Sequence, residues 1–259
     1  MRVFITGASS GIGEALAREY RRRHPEAIVG LAARRADALA QLSAALGPER
    51  TPTWAIDVTD RDALREAGRT FVERHGPPDV VIANAGISLG TDTGDPDDAI
   101  AFEDLFRTNV IGMFDTFAPF VDAMKAARRG RLVGISSVAG VRGMPGAAGY
   151  CASKAAATTY LESLRLELRG SGVSVVTIAP GYIRTPLTAR NRAPMPFLMD
   201  AEAFARKALD AIAARRSYVV IPWPMRWVAA LLRALPNPVY DVAFARAPRK
   251  ARRARSTGG

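Results

Sequence analysis

The sequence is poor in the residue types that build disulfide-rich or metal-stabilised proteins. Its 259 residues contain one cysteine, Cys151, and two histidines, His24 and His75, which lie far apart in the chain. A single cysteine excludes an internal disulfide framework and favours a reducing compartment. Neither histidine has cysteines or acidic clusters at metal-ligand spacing, so we expect no metal site.

Long hydrophobic runs are also missing. The apolar stretch at residues 3–5 is too short for a secretory signal, and no uninterrupted apolar run approaches the roughly 18 to 20 residues that cross a bilayer. Hydrophobic residues nevertheless make up 48% of the chain, which is enough for a large buried core. We therefore expect a folded, cytoplasmic protein.

Acidic residues are absent from the last part of the chain. The formal net charge is +11, and six of these positive charges follow the last acidic residue, Asp241. They are Arg246, Arg249, Lys250, Arg252, Arg253 and Arg255. No DNA- or RNA-binding motif accompanies them, so we expect residues 246–259 to form a basic, disordered tail and predict no nucleic-acid partner.

Short apolar runs alternate with longer amphipathic segments over residues 1–221. The predicted strands are Arg2–Thr6, Ile28–Ala32, Thr53–Ile56, Val80–Ala83, Arg131–Ser136, Val173–Ala179 and Tyr218–Ile221. The predicted helices cover about 11–24, 36–46, 60–75, 98–128, 150–169 and 201–215. This alternation predicts one α/β domain, a doubly wound parallel sheet of about seven strands with helices on both faces.

A glycine-rich turn, TGASSGIG at residues 6–13, connects the first predicted strand to the first helix. Glycines there let the backbone approach a pyrophosphate, and the N-terminus of the helix offers free N–H groups. The spacing differs from the common GxGxxG pattern, yet its position after the first strand favours dinucleotide binding. The candidate contacts in this turn are Gly7, Ser9, Ser10, Gly11, Ile12 and Gly13.

Two arginines, Arg34 and Arg35, follow the second predicted strand. An acidic residue in this region would bind the ribose 2′-hydroxyl of NAD, whereas guanidinium groups suit the 2′-phosphate of NADP. Solvated arginines before a helix are the alternative. The sequence favours NADP (NADPH), with NAD less favoured.

Tyr150 and Lys154 lie four residues apart in a predicted helix, which places both side chains on one face. A nearby ammonium favours the tyrosinate form, which brings a tyrosine toward the range useful for acid–base chemistry. Ser137, thirteen residues before Tyr150, ends the fifth strand and could donate to a substrate oxygen. Ser136 is the alternative, and the spacing to Tyr150 favours Ser137.

Taken together, these motifs resemble the short-chain dehydrogenase/reductase family, in its compact single-domain branch, over about residues 1–221. The resemblance adds Asn109 to Ser137, Tyr150 and Lys154 as a catalytic tetrad. It also implies further cofactor contacts, which are Asp57, Val58, Asn84, Ala85, Gly86, Pro180, Gly181, Ile183 and Thr185, besides Tyr150 and Lys154 themselves.

The resemblance also implies a role for each tetrad residue. Tyr150 exchanges a proton with the substrate oxygen, and Ser137 polarises that oxygen. Lys154 lowers the pKa of the tyrosine and binds the nicotinamide ribose, while Asn109 supports a water that relays protons to Lys154. The implied function is a hydride transfer between NADPH and a carbonyl or secondary alcohol, by a homodimer or homotetramer.

Residues 222–245 form an amphipathic carboxyl-terminal segment in which a helix over 225–235 would place Trp227, Leu231 and Leu235 on one face. We expect it to pack on the domain, on a subunit, or weakly on an anionic membrane. Apolar residues at 144–145 and 195–199 border the expected cleft and indicate an apolar substrate. Two other classes remain: a catalytically silent NADP-sensing protein, and a sugar-nucleotide epimerase or dehydratase.

Overall fold

The computed structural model describes residues 1–189, 191, 194–245 and 247–252. Its strands are β1 Arg2–Thr6, β2 Ile28–Ala33, β3 Thr53–Ala55, β4 Val80–Ala83, β5 Gly130–Ile135, β6 Val173–Pro180, β7 Ile183–Arg184, β8 Met199–Asp200 and β9 Tyr218–Ile221. Its helices are α1 Gly11–Arg23, α2 Ala36–Leu46, α3 Arg61–His75, α4 Asp98–Phe106, α5 Gly112–Ala126, α6 Ala148–Glu167, α7 Ala201–Ala213, α8 Pro224–Ala234 and α9 Asn237–Phe244.

Seven of the strands form one parallel sheet in the order β3-β2-β1-β4-β5-β6-β9, while β7 and β8 pair separately. The predicted Rossmann-like sheet is therefore confirmed. The strand order reverses between β1 and β4, and in such sheets a crevice opens there at the carboxyl ends of the strands. The glycine turn, the segment after β4 and the segment after β5 all leave the sheet at this edge.

The interior strand β1 is buried on both faces, which explains its run of apolar residues. Val3 and Ile5 point into the core shared with α1 and α7. Phe4 points to the opposite face, where its ring packs against Phe71 of α3 and Phe120 of α5. The sheet therefore has a hydrophobic core on each side and a rigid edge that carries the site.

The carboxyl-terminal helices α8 and α9 rest on the domain. Met225 and Ala229 are the buried residues of α8, while Trp227 and Leu231 on its outer side are 65% and 62% exposed. Tyr240 of α9 is buried and its hydroxyl donates to the Gly143 carbonyl at 2.6 Å. Two of the large apolar side chains predicted to share one face of α8, Trp227 and Leu231, therefore point largely to solvent, and Met225 and Ala229 hold the helix in place.

Residues 249–252, which we call the strap, lie against the domain beyond α9. Arg249 and Arg252 form ion pairs with Asp92 and Asp98, and the Gly90 N–H donates to the Ala251 carbonyl at 2.8 Å. The sequence predicted a disordered tail over 246–259, and this part of it differs because carboxylates after β4 pair with its arginines. Arg246 and residues 253–259, including Arg253 and Arg255, lie outside the described residues.

Across the described ranges, no helix is both long and apolar enough to cross a membrane. Over the same ranges, no three or more His, Cys, Asp or Glu side chains are grouped so that they could hold a metal ion.

Candidate active site

The four residues of the expected tetrad come from three neighbouring parts of the sheet edge. Ser137 follows β5, Tyr150 and Lys154 lie in the first two turns of α6, and Asn109 lies between α4 and α5. Gly86, after β4, lies between two of them, because a Cβ atom on it would lie 3.1 Å from Asn109 Oδ1 and 3.5 Å from Lys154 Nζ. The structure therefore brings Asn109 and Lys154 together at this glycine.

Asn109 lies in a π-helical turn, Arg107–Ile111, that interrupts the helix predicted over 98–128. Its side chain is fully buried and has three hydrogen bonds. Oδ1 accepts from the Ile87 N–H at 2.9 Å, and Nδ2 donates to the Ile87 carbonyl at 3.1 Å and to Ser153 Oγ at 3.0 Å. Such π turns are frequent at functional sites. This one lets Asn109 connect the segment after β4 to α6.

The two candidate serines have different environments. Ser136 is buried, and its hydroxyl lies 3.0 Å from the Lys154 carbonyl and 2.6 Å from Thr158 Oγ1. Ser137 accepts a hydrogen bond from the Ala139 N–H at 3.1 Å, and its hydroxyl interacts with that of Tyr150. The geometry therefore gives Ser136 a role in holding α6 and leaves Ser137 beside the tyrosine.

The Tyr150 side chain is enclosed by several elements. Burial raises the pKa of its hydroxyl, and hydrogen bonding with Ser137 and Ser88 opposes this rise by favouring the phenolate. Above the ring lies the ammonium group of Lys250 in the strap, 4.3 Å from the ring centroid. The Tyr150 hydroxyl is therefore held by hydrogen bonds, and a positive charge lies over its ring.

Lys154 is 5% exposed and its ammonium group donates to the Ile135 carbonyl, the last residue of β5, at 2.9 Å. Burial lowers the pKa of Lys154 to about 8, because the charged form is poorly solvated there. Its amine therefore titrates close to neutral pH, which suits a group that exchanges protons.

The glycine turn has the close packing that a dinucleotide cradle needs. Gly7 and Gly11 have positive φ values, +68° and +59°. A Cβ atom on Gly13 would overlap the Gly7 carbonyl, and Asn84 Nδ2 donates to that same carbonyl at 3.2 Å. Ser10, the residue before α1, makes no capping hydrogen bond with its side chain, so this side chain does not occupy the first N–H groups of the helix. These features fit a pyrophosphate, with Ser9, Ser10 and Ile12 as its neighbours in the turn.

Arg34 and Arg35 follow β2 but have different partners. Arg35 donates to the Ser9 carbonyl at 3.0 Å and lies 3.2 Å from Ser9 Oγ. Arg34 lies 3.6 Å from Asp57, whose carboxylate also accepts from Thr59. A guanidinium and a serine hydroxyl side by side beyond the first turn suit the 2′-phosphate of NADP.

The remaining predicted contacts border the same crevice. Val58 is buried under Gly112, and Ala85 packs on Gly7. The Gly181 N–H, just after Pro180, donates to the Ile221 carbonyl, and Ile183 is buried in β7. Thr185 approaches the glycine turn, since a Cβ atom on Gly11 would lie 3.2 Å from its side chain. The loop after β6 therefore reaches across to the phosphate cradle.

Four residues of the site were missed by the sequence analysis. Ser88, Ser153 and Tyr182 surround the tetrad, and Lys250 covers it. The sequence does contain an indication of Ser153, because this residue directly precedes Lys154 on the same predicted helix. Lys250 had a weaker one: the acidic stretch 92–98 and the basic end of the chain carry opposite charges.

Comparisons with known proteins identify the family of this chain. A family model for short chain dehydrogenases matches residues 1–196. An oxidoreductase from Myxococcus xanthus is 38% identical over 243 residues, covering 93% of this chain and 95% of the relative.

Two solved structures have the same fold. The alcohol dehydrogenase of the archaeon Thermococcus sibiricus, complexed with 5-hydroxy-NADP, has a TM-score of 0.74 and 25% identity, over 85% of this chain and 95% of its own. Actinorhodin polyketide ketoreductase with NADPH has a TM-score of 0.76 and 25% identity, with the same coverage. Because the family model spans most of the chain and a relative of this identity covers nearly all of it, this protein belongs to the short-chain dehydrogenase/reductase family.

Proposed function

We propose that the protein is an NADPH-dependent oxidoreductase that transfers a hydride between the nicotinamide ring and a carbonyl or secondary alcohol. The observation that carries this proposal is the Tyr150 hydroxyl, which is held beside Ser137 at the edge of the sheet, on the helix that also carries Lys154. This is the place where a substrate oxygen would meet both a hydrogen-bond donor and an exchangeable proton.

The cofactor, when bound, supplies or accepts the hydride. During reduction, Tyr150 gives its hydroxyl proton to the substrate oxygen, and Ser137 donates a hydrogen bond to the same oxygen. During oxidation, Tyr150 takes the proton back from the alcohol. Lys154 is the nearest amine on the same helix face, and its lowered pKa allows it to pass a proton onward near neutral pH. Asn109 holds the segment after β4 through both of its amide ends.

NADP is preferred over NAD in this proposal because Arg35, which follows β2, contacts Ser9 of the glycine turn. Two of the structural relatives were solved with NADP-type ligands, which supports the same choice. An NAD-specific site would instead place a carboxylate where the ribose 2′-hydroxyl lies. Asp57, the nearest acidic candidate, pairs with Arg34.

The substrate of this proposal is apolar near the reacting carbon. Met144 and Tyr150 both pack against the buried cluster of Ala139, Ala147 and Cys151. Val138, Tyr182 and Val228 pack against a second apolar cluster, which is Ala179, Val220 and Met225. Small-molecule pockets are usually lined in this way, with few polar groups that fix orientation. We further propose a homo-oligomer, supported by the exposed apolar side chains on α5, α6 and α8.

Replacement of Tyr150 by Phe tests the function. The variant should keep the fold and bind NADPH normally, as followed by cofactor fluorescence, while hydride transfer falls by about 10² to 10⁴ because the proton donor is lost. A panel of carbonyl compounds, assayed by NADPH absorbance, supplies the substrate. Unchanged turnover in Tyr150→Phe would contradict the tetrad assignment. Tight NADPH binding by the wild-type protein without turnover of any compound would favour the silent sensor.

A further inference from the structure

The strap, residues 249–252, is fastened to the domain on both sides of Lys250. Arg249 Nη1 lies 3.6 Å from Asp92. Arg252 forms an ion pair with Asp98, which is largely buried, at 2.7 Å and a second ion pair with Asp95. These contacts fix the strap at both ends, with Lys250 and Ala251 between the two arginines.

Two glycines make room for the strap. A Cβ atom on Gly90 would clash with the Lys250 carbonyl oxygen, and a Cβ atom on Gly146 would lie 2.8 Å from the Cβ of Arg249. The Gly90 N–H also donates to the Ala251 carbonyl at 2.8 Å. The strap therefore lies in a groove that is shaped to receive backbone, between the segment after β4 and the segment before α6.

Lys250 is the basic residue of the strap that has no acidic partner. Its ammonium group lies 4.3 Å from the centroid of the Tyr150 ring, and burial lowers the pKa of its amine. Within the described part of the chain, no carboxylate pairs with it, although both flanking arginines have one. A desolvated cation over an aromatic face interacts favourably with the ring, and more strongly with a phenolate.

We propose that Lys250 is a positioning residue of the active site: the strap holds its ammonium group against Tyr150, where it stabilises the phenolate that this residue becomes when it gives up its proton. The inference rests on the proposed function, because the phenolate forms only if Tyr150 is the acid. Two lysines then belong to the site, Lys154 on the helix of Tyr150 and Lys250 on the strap.

The other groups that face Tyr150 do not supply this charge. Ser137 and Ser88 contribute hydrogen bonds, and Tyr182 on the loop after β6 is itself a phenol whose pKa is raised by burial. Cys151 is next in the chain, and burial raises the pKa of its thiol as well. Lys154 is directed toward the Ile135 carbonyl. Lys250 is therefore the cation that lies over the ring.

The test is a titration of Tyr150 that needs no substrate. The protein is labelled with carbon-13 at the tyrosine Cζ positions, and the signal that disappears in Tyr150→Phe is assigned to this residue. Four variants are compared with the wild-type protein. Lys250→Met removes the charge, Lys250→Arg keeps it, and Gly90→Ala displaces the strap. Gly143→Ala is the matched control, because a Cβ atom there meets no atom within 4 Å.

We expect Lys250→Met and Gly90→Ala to raise the pH at which Tyr150 ionises by about one unit or more, and Lys250→Arg and Gly143→Ala to leave it nearly unchanged. The pH profile of kcat should move by the same amount. The proposal is wrong if Lys250→Met leaves the titration unchanged, if Gly90→Ala does so, or if no protein shows Tyr150 ionisation before it unfolds. An unchanged titration with normal turnover contradicts the role of Lys250 alone, whereas a shifted titration without turnover contradicts the proposed function.

Discussion

Arg34 and Arg35 follow the same strand, yet the structure gives them different neighbours. Arg35 lies against Ser9 of the glycine turn, whereas Arg34 is turned toward Asp57. Charge-assisted hydrogen bonds contribute about 1.5 to 3 kcal/mol when they are formed with a charged partner. Arg35, which lies next to the glycine turn, should therefore contribute more than Arg34 to the preference for NADPH over NADH.

We expect Arg35→Ala to weaken NADPH binding by about 10- to 100-fold and to leave NADH binding nearly unchanged, because only NADPH carries the 2′-phosphate. Arg34→Ala is the matched comparison and should have a smaller effect. Dissociation constants for both cofactors, measured by calorimetry, decide this. An equal loss of NADPH and NADH affinity in Arg35→Ala would show that this side chain does not read the phosphate.

Lys154 should give the free energy of unfolding a specific pH dependence. Burial lowers its pKa to about 8, from 10.5 in the unfolded chain. Between these two values the unfolded chain holds a proton that the folded protein has lost, so the free energy of unfolding rises with pH across that window. We expect Lys154 to contribute a rise of about 2 kcal/mol, and Lys154→Met to lack it. Urea unfolding of both proteins at about pH 7.5 and pH 10 measures the difference, and parallel curves would contradict the buried charge.

At the scale of helices and strands, local sequence patterns were sufficient for most of the fold. The buried strands are continuous apolar runs and the helices have clear amphipathic periodicity, so the seven strands of the sheet were predicted within a residue or two. The π turn at Asn109 was not predicted, because nothing in the helical pattern there distinguishes one extra residue in a turn. Helix α9 was also missed, since two prolines at its start and its short length conceal its periodicity.

The sequence pattern also did not predict the orientation of α8. Periodicity shows which side chains share a face of a helix but not which face packs on the domain. In α8 the face with Met225 and Ala229 packs on the domain. Met225 fits over Gly181, where a Cβ atom would lie 2.8 Å from its Cγ. The opposite face carries the large apolar side chains of Trp227 and Leu231, yet this is the exposed face.

We expect Met225→Ala to lower the free energy of unfolding by about 2 to 3 kcal/mol, because it leaves a cavity over β9 and the loop after β6. Leu231→Ala on the same helix should change it by less than about 0.5 kcal/mol, since this side chain is 62% exposed. Urea denaturation followed by circular dichroism compares the two. A larger loss in Leu231→Ala would mean that this side chain is covered in solution.

For the whole molecule, the arrangement of exposed apolar residues supports self-association. Phe114 of α5, Leu166 of α6 and Trp227 of α8 are 51%, 60% and 65% exposed. Phe114 also packs its ring near Tyr160 of α6, so α5 and α6 present a joint surface. Apolar area of this kind is commonly covered by a second subunit.

Light scattering on a size-exclusion column should therefore give a mass above the 27.7 kDa of one chain. Phe114→Glu should shift the protein toward the monomer without unfolding it if α5 and α6 form the interface, because a carboxylate is costly to bury there. Leu231→Glu on α8 is the matched control: Leu231 is expected to stay exposed, so this change should leave the mass unchanged. A wild-type protein that elutes as a monomer at all concentrations would contradict the expected oligomer.

The attachment of the strap to α9 has a kinetic consequence. Tyr240 fixes α9 through the Gly143 carbonyl, and the Arg142 guanidinium lies 3.8 Å from its ring centroid. Only a few residues separate α9 from Arg249, so a strap that detaches remains tethered next to its groove. Its effective concentration there is in the millimolar range, as for other short linkers. A detached strap would therefore return faster than any free peptide at micromolar concentration could replace it, and competition by such a peptide would be negligible.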